Sequence, residues 1–121
     1  MTTKTVLVVD DEPDIVLTVR LALELEGYRV LSAGSGEDAL ELLERERPDI
    51  ILLDLRLPGI DGFAVLERLA RSTPPVIVLS AHANGGTMQR ALEMGCREFI
   101  TKPFNPDQLV DKIEATLQSN G

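Results

Sequence analysis

The ionisable side chains able to act together stand at the ends of short apolar runs. Two adjacent carboxylates, Asp10 and Asp11, follow the first run, and Asp54 follows the third. Ser80 follows the fourth run and Lys102 follows the fifth. Three carboxylates held close together repel one another, so they take up protons or bind a cation. Because hard oxygen ligands suit Mg²⁺, which often binds phosphate oxygens as well, the set predicts Mg²⁺-dependent phosphoryl chemistry.

The same groups fit the transfer of a phosphoryl group onto a carboxylate. An aspartate can act as the nucleophile, while a lysine and a hydroxyl stabilise the non-bridging phosphoryl oxygens. Alone, Asp10 and Asp11 also fit helix caps. Asp54 and Ser80 also fit polar strand ends, and Lys102 a solvated loop lysine. Their convergence on one edge of a sheet favours the chemical interpretation.

The elements that position these groups are five short apolar runs, each followed by a stretch long enough for a helix. The runs cover residues 6–9, 28–31, 50–53, 76–79 and 98–101. Continuous runs of this kind are typical of parallel strands buried on both faces. The second run ends without an ionisable group, so we place it at an edge, away from the site. The predicted fold is an α/β, (βα)5 doubly wound parallel sheet of the flavodoxin-like type, with order 2-1-3-4-5 and helices on both faces.

Capping residues mark the ends of the helices. N-terminal signals precede or begin the first, second and fifth helices, at Pro13, Ser35 and Asn105. Glycines stand where the first and fourth helices should end, at Gly27 and Gly95. Apolar residues at helical spacing give each helix one face to bury against the sheet.

Length and composition limit the class of protein. The 121 residues, 44% of them apolar, predict a single domain over residues 1–121 with a core at about residues 5–117. The net charge of −8 argues against a nucleic acid as direct ligand. No apolar run is long enough for a membrane span or a secretory signal, and the lone Cys96, expected to be buried, cannot form an internal disulfide. We therefore expect a cytoplasmic domain without a membrane partner, either a stand-alone protein or part of a longer one.

Taken together, these residues resemble the receiver domain of two-component response regulators. The resemblance covers about residues 5–117. Its motifs are Asp10-Asp11 after the first strand, Asp54 with Pro58-Gly59 and Asp61-Gly62 after it, Ser80-Ala81, and Phe99 three residues before Lys102-Pro103-Phe104. The resemblance implies a phosphoacceptor signalling domain rather than an enzyme, with only self-directed phosphoryl transfer and autodephosphorylation.

The resemblance also implies which residues receive the phosphoryl group and bind the metal. Asp54 would accept the group from a sensor histidine kinase or a phosphotransfer protein. Asp10, Asp11 and Asp54 would bind Mg²⁺, for which Mn²⁺ can substitute. The backbone carbonyl of Arg56 would complete the protein ligands.

Four further positions are implied to bind the phosphoryl group or to transmit its arrival. Lys102, Ser80 and the backbone of Ala81 would bind the phosphoryl oxygens. Ser80 would turn inward and Phe99 would change rotamer, which would alter the face formed by the fourth helix, fifth strand and fifth helix. That face would bind a second copy of the chain or an output partner.

Two pairs of residues carry predictions about rate and docking. Arg56 and His82, two positions after the acceptor and the hydroxyl, should exclude water from the phosphoaspartate and slow its hydrolysis. Helical-wheel counting puts Leu17 and Leu21 outside the buried face of the first helix. In the resembled family this helix docks against the kinase, so we expect both leucines to be partly exposed and to bind it.

Three alternatives stay open at this point. A flavodoxin-like electron carrier shares the fold, but the acidic first loop and the 3% aromatic content disfavour it. A small Mg²⁺-dependent phosphatase with an aspartate nucleophile would be labelled on Asp10 rather than Asp54. A degenerate receiver used as a scaffold, independent of phosphorylation, would not bind Mg²⁺.

Overall fold

Strands and helices alternate along the chain, of which this computed structural model describes residues 3–57, 59, 61–70, 74–81 and 85–119. The strands are β1 (Thr5–Val9), β2 (Arg29–Ala33), β3 (Ile50–Leu53), β4 (Val76–Ser80) and β5 (Glu98–Thr101). The helices are α1 (Pro13–Leu25), α2 (Gly36–Leu42), α3 (Gly62–Leu69), α4 (Gly85–Glu93) and α5 (Pro106–Ser119).

The five strands form one parallel sheet in the order β2-β1-β3-β4-β5, which confirms the predicted topology. Val9, the last residue of β1, lies opposite Ala33 and Leu53, the last residues of its two neighbours. Ser80 at the end of β4 lies opposite Thr101 at the end of β5. Leu53 at the end of β3 lies opposite Val78, so β4 extends two residues further. Because the parallel strands end within two residues of one another, the residues that follow them meet at one edge of the sheet.

The predicted bounds of the second strand were wrong at both ends. The strand covers Arg29–Ala33 rather than residues 28–31, so Ser32 lies within it. The reason is that β2 is an edge strand paired with β1 and carries two exposed polar residues, Arg29 and Ser32, beside the buried Val30 and Ala33. A strand interrupted in this way has no continuous apolar run to mark its length.

The apolar side chains of the sheet form one core on each face. In β1, Leu7 and Val9 pack into the core beneath α2, α3 and α4. Val6 and Val8 pack into the other core, beneath α1 and α5. This alternation follows from the period of two residues in a strand. Each fully buried side chain of this size stabilises the fold by about 1.5–3 kcal/mol relative to an exposed one.

The helix ends use the predicted signals. The Oγ of Ser35 accepts a hydrogen bond from the backbone N–H of Asp38 at 3.1 Å, and Asn105 Oδ1 accepts one from the backbone two residues on at 2.8 Å. Gly27 and Gly95 have φ angles of 90° and 112°, in the left-handed region that glycine enters without strain. None of the helices in the described ranges is long and apolar enough to cross a bilayer.

Candidate functional site

Two buried aspartates, Asp10 and Asp54, lie side by side at the carboxyl edge of the sheet. They follow the adjacent strands β1 and β3, and each is 4% exposed. In each, Oδ1 accepts a hydrogen bond from the backbone N–H two residues further along. The donors are Glu12 and Arg56, both at 2.9 Å. The two loops therefore fix the two carboxylates in the same way.

Lys102 directly follows the edge strand β5, and its side chain forms ion pairs with these carboxylates. Its Nζ lies 2.8 Å from Asp10 Oδ2, 3.0 Å from Asp54 Oδ2 and 3.2 Å from Glu12 Oε1. Its backbone N–H donates to the carbonyl of Ser80 at 2.9 Å, which continues the β4–β5 ladder by one residue. The side chain of Lys102 is only 8% exposed. The ion pairs with Asp10 and Asp54 are thus formed largely out of water.

Burial and pairing act against each other on the charges of this cluster. Burial raises the pKa of Asp10, and its bonds with Lys102 and Glu12 reduce that rise. Burial also tends to lower the pKa of Lys102. The hydrogen bonds and charges of Asp10 and Asp54 outweigh this tendency and hold its pKa above the ordinary value of 10.5. Lys102 is therefore a cation at neutral pH.

The donor set of the cluster fits a divalent cation. Carboxylate oxygens of Asp10, Glu12 and Asp54 lie within 4.8 Å of one another. All are hard oxygens, the ligands that Mg²⁺ prefers. Three carboxylates face the single ammonium of Lys102, so negative charge remains to attract a cation.

An open cleft of about 360 Å³ leads from solvent to Asp54. Its lining residues are Asp11, Glu12, Asp54, Arg56, Ala81 and Lys102. Asp11 is exposed and lines the cleft, but it is not among the three residues whose oxygens cluster. The loop after β1 therefore lines the cleft with acidic residues, and the loop after β3 lines it with the cationic Arg56.

The remaining predicted site residues lie behind or beside this cleft. Ser80 is completely buried at the end of β4, and Ala81 follows it at the surface. Phe99 is half-buried in β5 and packs against the core beneath α2, α3 and α4. His82 and Pro58 lie outside the described residues.

The two leucines predicted to be exposed on α1 are so, each at 55%. Leu25, one turn beyond them, is 86% exposed and was not singled out, although its spacing of four residues continues their stripe. On the opposite side of the helix Val19 and Leu23 are fully buried. A groove of about 490 Å³ runs beside Leu21 and Leu25, between α1 and α5.

Glu12 is the residue of the cluster that the sequence reasoning missed. It precedes Pro13, the first residue of α1. Its position two residues after Asp10 was the available signal. It does not directly follow a strand, so the argument from strand ends that brings Asp10 and Lys102 together does not include it.

The fold and this site define a receiver domain, and comparison with known proteins agrees. Residues 6–114 match the family model described as the response regulator receiver domain, so the chain belongs to this family of two-component signalling domains. Transcriptional regulatory protein KdpE of Mycobacterium tuberculosis is 40% identical over 116 residues, which are 95% of this chain and 51% of that protein. The chain spans about half the length of the curated relatives it matches.

Solved receiver domains have the same fold over almost the whole chain. The CheY-like response regulator receiver domain protein of Methanospirillum hungatei JF-1 has a TM-score of 0.92 and 31% identity, covering 98% of this chain and 96% of that one. The BeF3-activated DrrB receiver domain has a TM-score of 0.89 and 28% identity, covering 97% and 99%.

Proposed function

We propose that Asp54 is the phosphoacceptor of this receiver domain and takes its phosphoryl group from a sensor histidine kinase or a phosphotransfer protein. The observation that carries this proposal is the position of Asp54 in the cleft with its Oδ2 3.0 Å from Lys102 Nζ. An ammonium at that distance stabilises charge that develops on a phosphoryl oxygen. In the step itself, an Asp54 oxygen bonds to phosphorus while the bond from phosphorus to the donor's imidazole nitrogen breaks. The electron pair of that bond leaves with the imidazole.

A divalent cation belongs to the same proposal. Asp10, Asp11, Asp54 and the backbone carbonyl of Arg56 would hold Mg²⁺, or Mn²⁺ in its place, and the carboxylate of Glu12 lies in the same cluster. When bound, the cation neutralises negative charge on the phosphoryl oxygens. The chain supplies the remaining contacts from Lys102, Ser80 and the backbone of Ala81. Its chemistry is then confined to its own phosphorylation and autodephosphorylation.

A small phosphodonor tests this proposal without a kinase. With acetyl phosphate and Mg²⁺, the intact mass should increase by one phosphoryl group, and alkali should remove the group as it removes other acyl phosphates. Asp54→Asn should abolish the gain. Asp61→Asn is the matched control, because Asp61 caps α3 through its side chain and asparagine caps equally well. A modification that survives alkali, or that maps to His82, would contradict the assignment.

We also propose that the α1 stripe of Leu17 and Leu21 docks the kinase. Two large apolar side chains, each 55% exposed on one helix face, form an apolar surface that a partner would stabilise by burying it. Leu17→Ser with Leu21→Ser should slow transfer from a phosphorylated kinase while labelling by acetyl phosphate continues. Transfer at the wild-type rate by the folded double variant would remove the docking role.

For the response, we propose that Ser80 and Phe99 transmit phosphorylation to the face formed by α4, β5 and α5. Ser80 ends β4, and Phe99 lies in the adjacent β5 opposite Val78. A displacement of one can therefore be passed to the other across one pair of strands. A second copy of the chain or an output partner would bind that face.

Arg56 is proposed to slow hydrolysis of the phosphoaspartate together with His82. The Arg56 side chain is exposed and lines the cleft through which water reaches Asp54. Arg56→Ala with His82→Ala should therefore lose phosphate faster than the wild type. Equal or slower loss would reverse the assigned role.

The wider setting of the domain also stays a proposal. We predict a single receiver domain over residues 1–121 with its core at about 5–117, acting in the cytoplasm without a direct nucleic-acid or membrane partner. The net charge of −8 supports the prediction that this segment does not bind nucleic acid directly. KdpE is a transcriptional regulatory protein about twice as long, so an output of that kind would belong to a longer chain.

A further inference from the structure

All three ammonium protons of Lys102 have a carboxylate within hydrogen-bonding distance. An ammonium group has three N–H donors, and Asp10, Asp54 and Glu12 supply an acceptor for each. Phosphorylation turns the Asp54 carboxylate into an acyl phosphate, so the new phosphoryl oxygens compete with the carboxylates of Asp10 and Glu12 for the protons of Lys102. We infer that Glu12 is a positioning residue that holds Lys102 before phosphorylation and releases it to the phosphoryl group. This inference rests on the proposed phosphoacceptor function.

The exposure of the three carboxylates decides which one is released. The side chains of Asp10 and Asp54 are 3% and 5% exposed, whereas that of Glu12 is 60% exposed. A buried carboxylate that loses its cation is left without compensation, which is costly. Water takes over the solvation of an exposed one. Glu12 also makes the longest of the three contacts, at 3.2 Å.

The start of α1 holds Glu12 in this position. Its backbone N–H donates to Asp10 Oδ1, so the carboxylate that binds Lys102 also fixes the backbone of Glu12. Glu12 is the N-cap of α1 but makes no side-chain capping hydrogen bond. Serine, threonine, aspartate or asparagine would cap the helix better. The longer side chain of glutamate bonds to Lys102 instead.

Glu12 therefore has opposite effects on two ligands of the same cleft. Its negative charge favours a cation, but its bond to Lys102 competes with the phosphoryl oxygens. Glu12→Gln should weaken Mg²⁺ binding. At saturating Mg²⁺ it should strengthen binding of beryllofluoride, the phosphoryl mimic. A residue that only supported the fold or the metal would not strengthen it.

Titration by NMR tests the competition. At saturating Mg²⁺, the half-saturating beryllofluoride concentration should be about two- to fivefold lower in Glu12→Gln than in the wild type, the range for an ion pair with one exposed partner. Asp14→Asn is the charge control, because Asp14 is exposed in the first turn of the same helix and is not among the three acceptors of Lys102. It should bind beryllofluoride as the wild type does.

The ¹⁵N resonance of Lys102 Nζ gives a second, direct readout. Glu12→Gln should shift it in the free protein and leave it unchanged in the complex with Mg²⁺ and beryllofluoride. An equal shift in both states, or beryllofluoride binding that is unchanged or weaker in Glu12→Gln, would overturn the release of Lys102. The proposed function fails separately if the wild type binds no beryllofluoride, or if Asp54→Asn binds it equally well.

Discussion

The loops after β1 and β3 begin alike and then diverge. Each starts with a buried aspartate that accepts the backbone N–H two residues on and binds Lys102. After Asp10 the chain reaches α1 within three residues, and the residues between are acidic. After Asp54 it passes Arg56 and takes eight residues to reach α3 at Gly62. One backbone arrangement therefore yields two carboxylates of the same geometry, and the residues that follow give them different chemistry.

Removing Lys102, which the two loops share, should have the largest effect on stability. Lys102→Met leaves Asp10 and Asp54 buried without a cation, so the free energy of unfolding should fall by about 3 kcal/mol at pH 7. Urea unfolding without Mg²⁺ measures the loss, and added Mg²⁺ should restore part of it. Lys112→Met, which removes a half-exposed pair with Glu98, should cost less than about 1 kcal/mol.

The pH dependence of that loss is a further check. The pKa of Lys102 is raised on folding, so the stabilisation is fully present below its ordinary value of 10.5 and is lost as pH rises through the folded value. The difference between the wild type and Lys102→Met should therefore shrink above pH 10.5. Equal losses for Lys102→Met and Lys112→Met at pH 7 would contradict a buried cation shared by the two loops.

The start of α3 should be far less tolerant of a methyl group than the start of α4. A Cβ at Gly62 would collide with the backbone of Leu55, the residue after Asp54, whereas a Cβ at Gly86 would meet nothing within 4 Å. Gly62→Ala should lower the free energy of unfolding by about 1–3 kcal/mol. Gly86→Ala should raise it by up to about 1 kcal/mol. Similar values for both variants in urea unfolding would show that the backbone at Leu55 relaxes around the methyl group.

The runs at residues 50–53 and 98–101 predict the bounds of β3 and β5. For β3 the reason is physical, because it is a central strand whose four residues are all buried and apolar. The edge strand β2 contains the exposed Arg29 and Ser32, so its bounds depend on its pairing with β1. Asp10, Asp54 and Lys102 were predicted to meet because parallel strands end at one edge. Glu12 was missed because it stands three residues beyond the end of β1, so its contact with Lys102 follows from the reach of its side chain and not from a strand end.

Replacing Ser80 should separate the local response to a phosphoryl mimic, near Asp54, from the distant response in β5 and the residues around it. Phosphorylation adds a charge of about −1.5 to −2 beside Lys102. Beryllofluoride with Mg²⁺ should shift NMR resonances near Asp54 and also from Ala81 to Phe104. Ser80→Ala should suppress the distant shifts while leaving binding largely intact. Distant shifts of full size in Ser80→Ala would mean that the signal leaves the site by another route.

Cys96, far along the chain from the loops after β1 and β3, should have the smallest effect on the free energy of unfolding. Burial raises the pKa of its thiol from 9.0 to about 11. The unfolded chain then loses this proton at lower pH than the folded one, so stability falls as pH rises from 9 towards 11. Cys96→Ala should lack this part of the fall when urea unfolding is compared across the range. Parallel curves for the two proteins would exclude the contribution.

The site at which the phosphoryl group attaches tests the difference between the two loops most directly. After labelling with acetyl phosphate and Mg²⁺, borohydride reduction marks the acylated carboxylate, and tandem mass spectrometry of the peptides locates it. We predict the mark on Asp54, which of the two buried aspartates is the one that lines this cleft. A mark on Asp10 would contradict the phosphoacceptor assignment and favour a phosphatase with its aspartate nucleophile after the first strand.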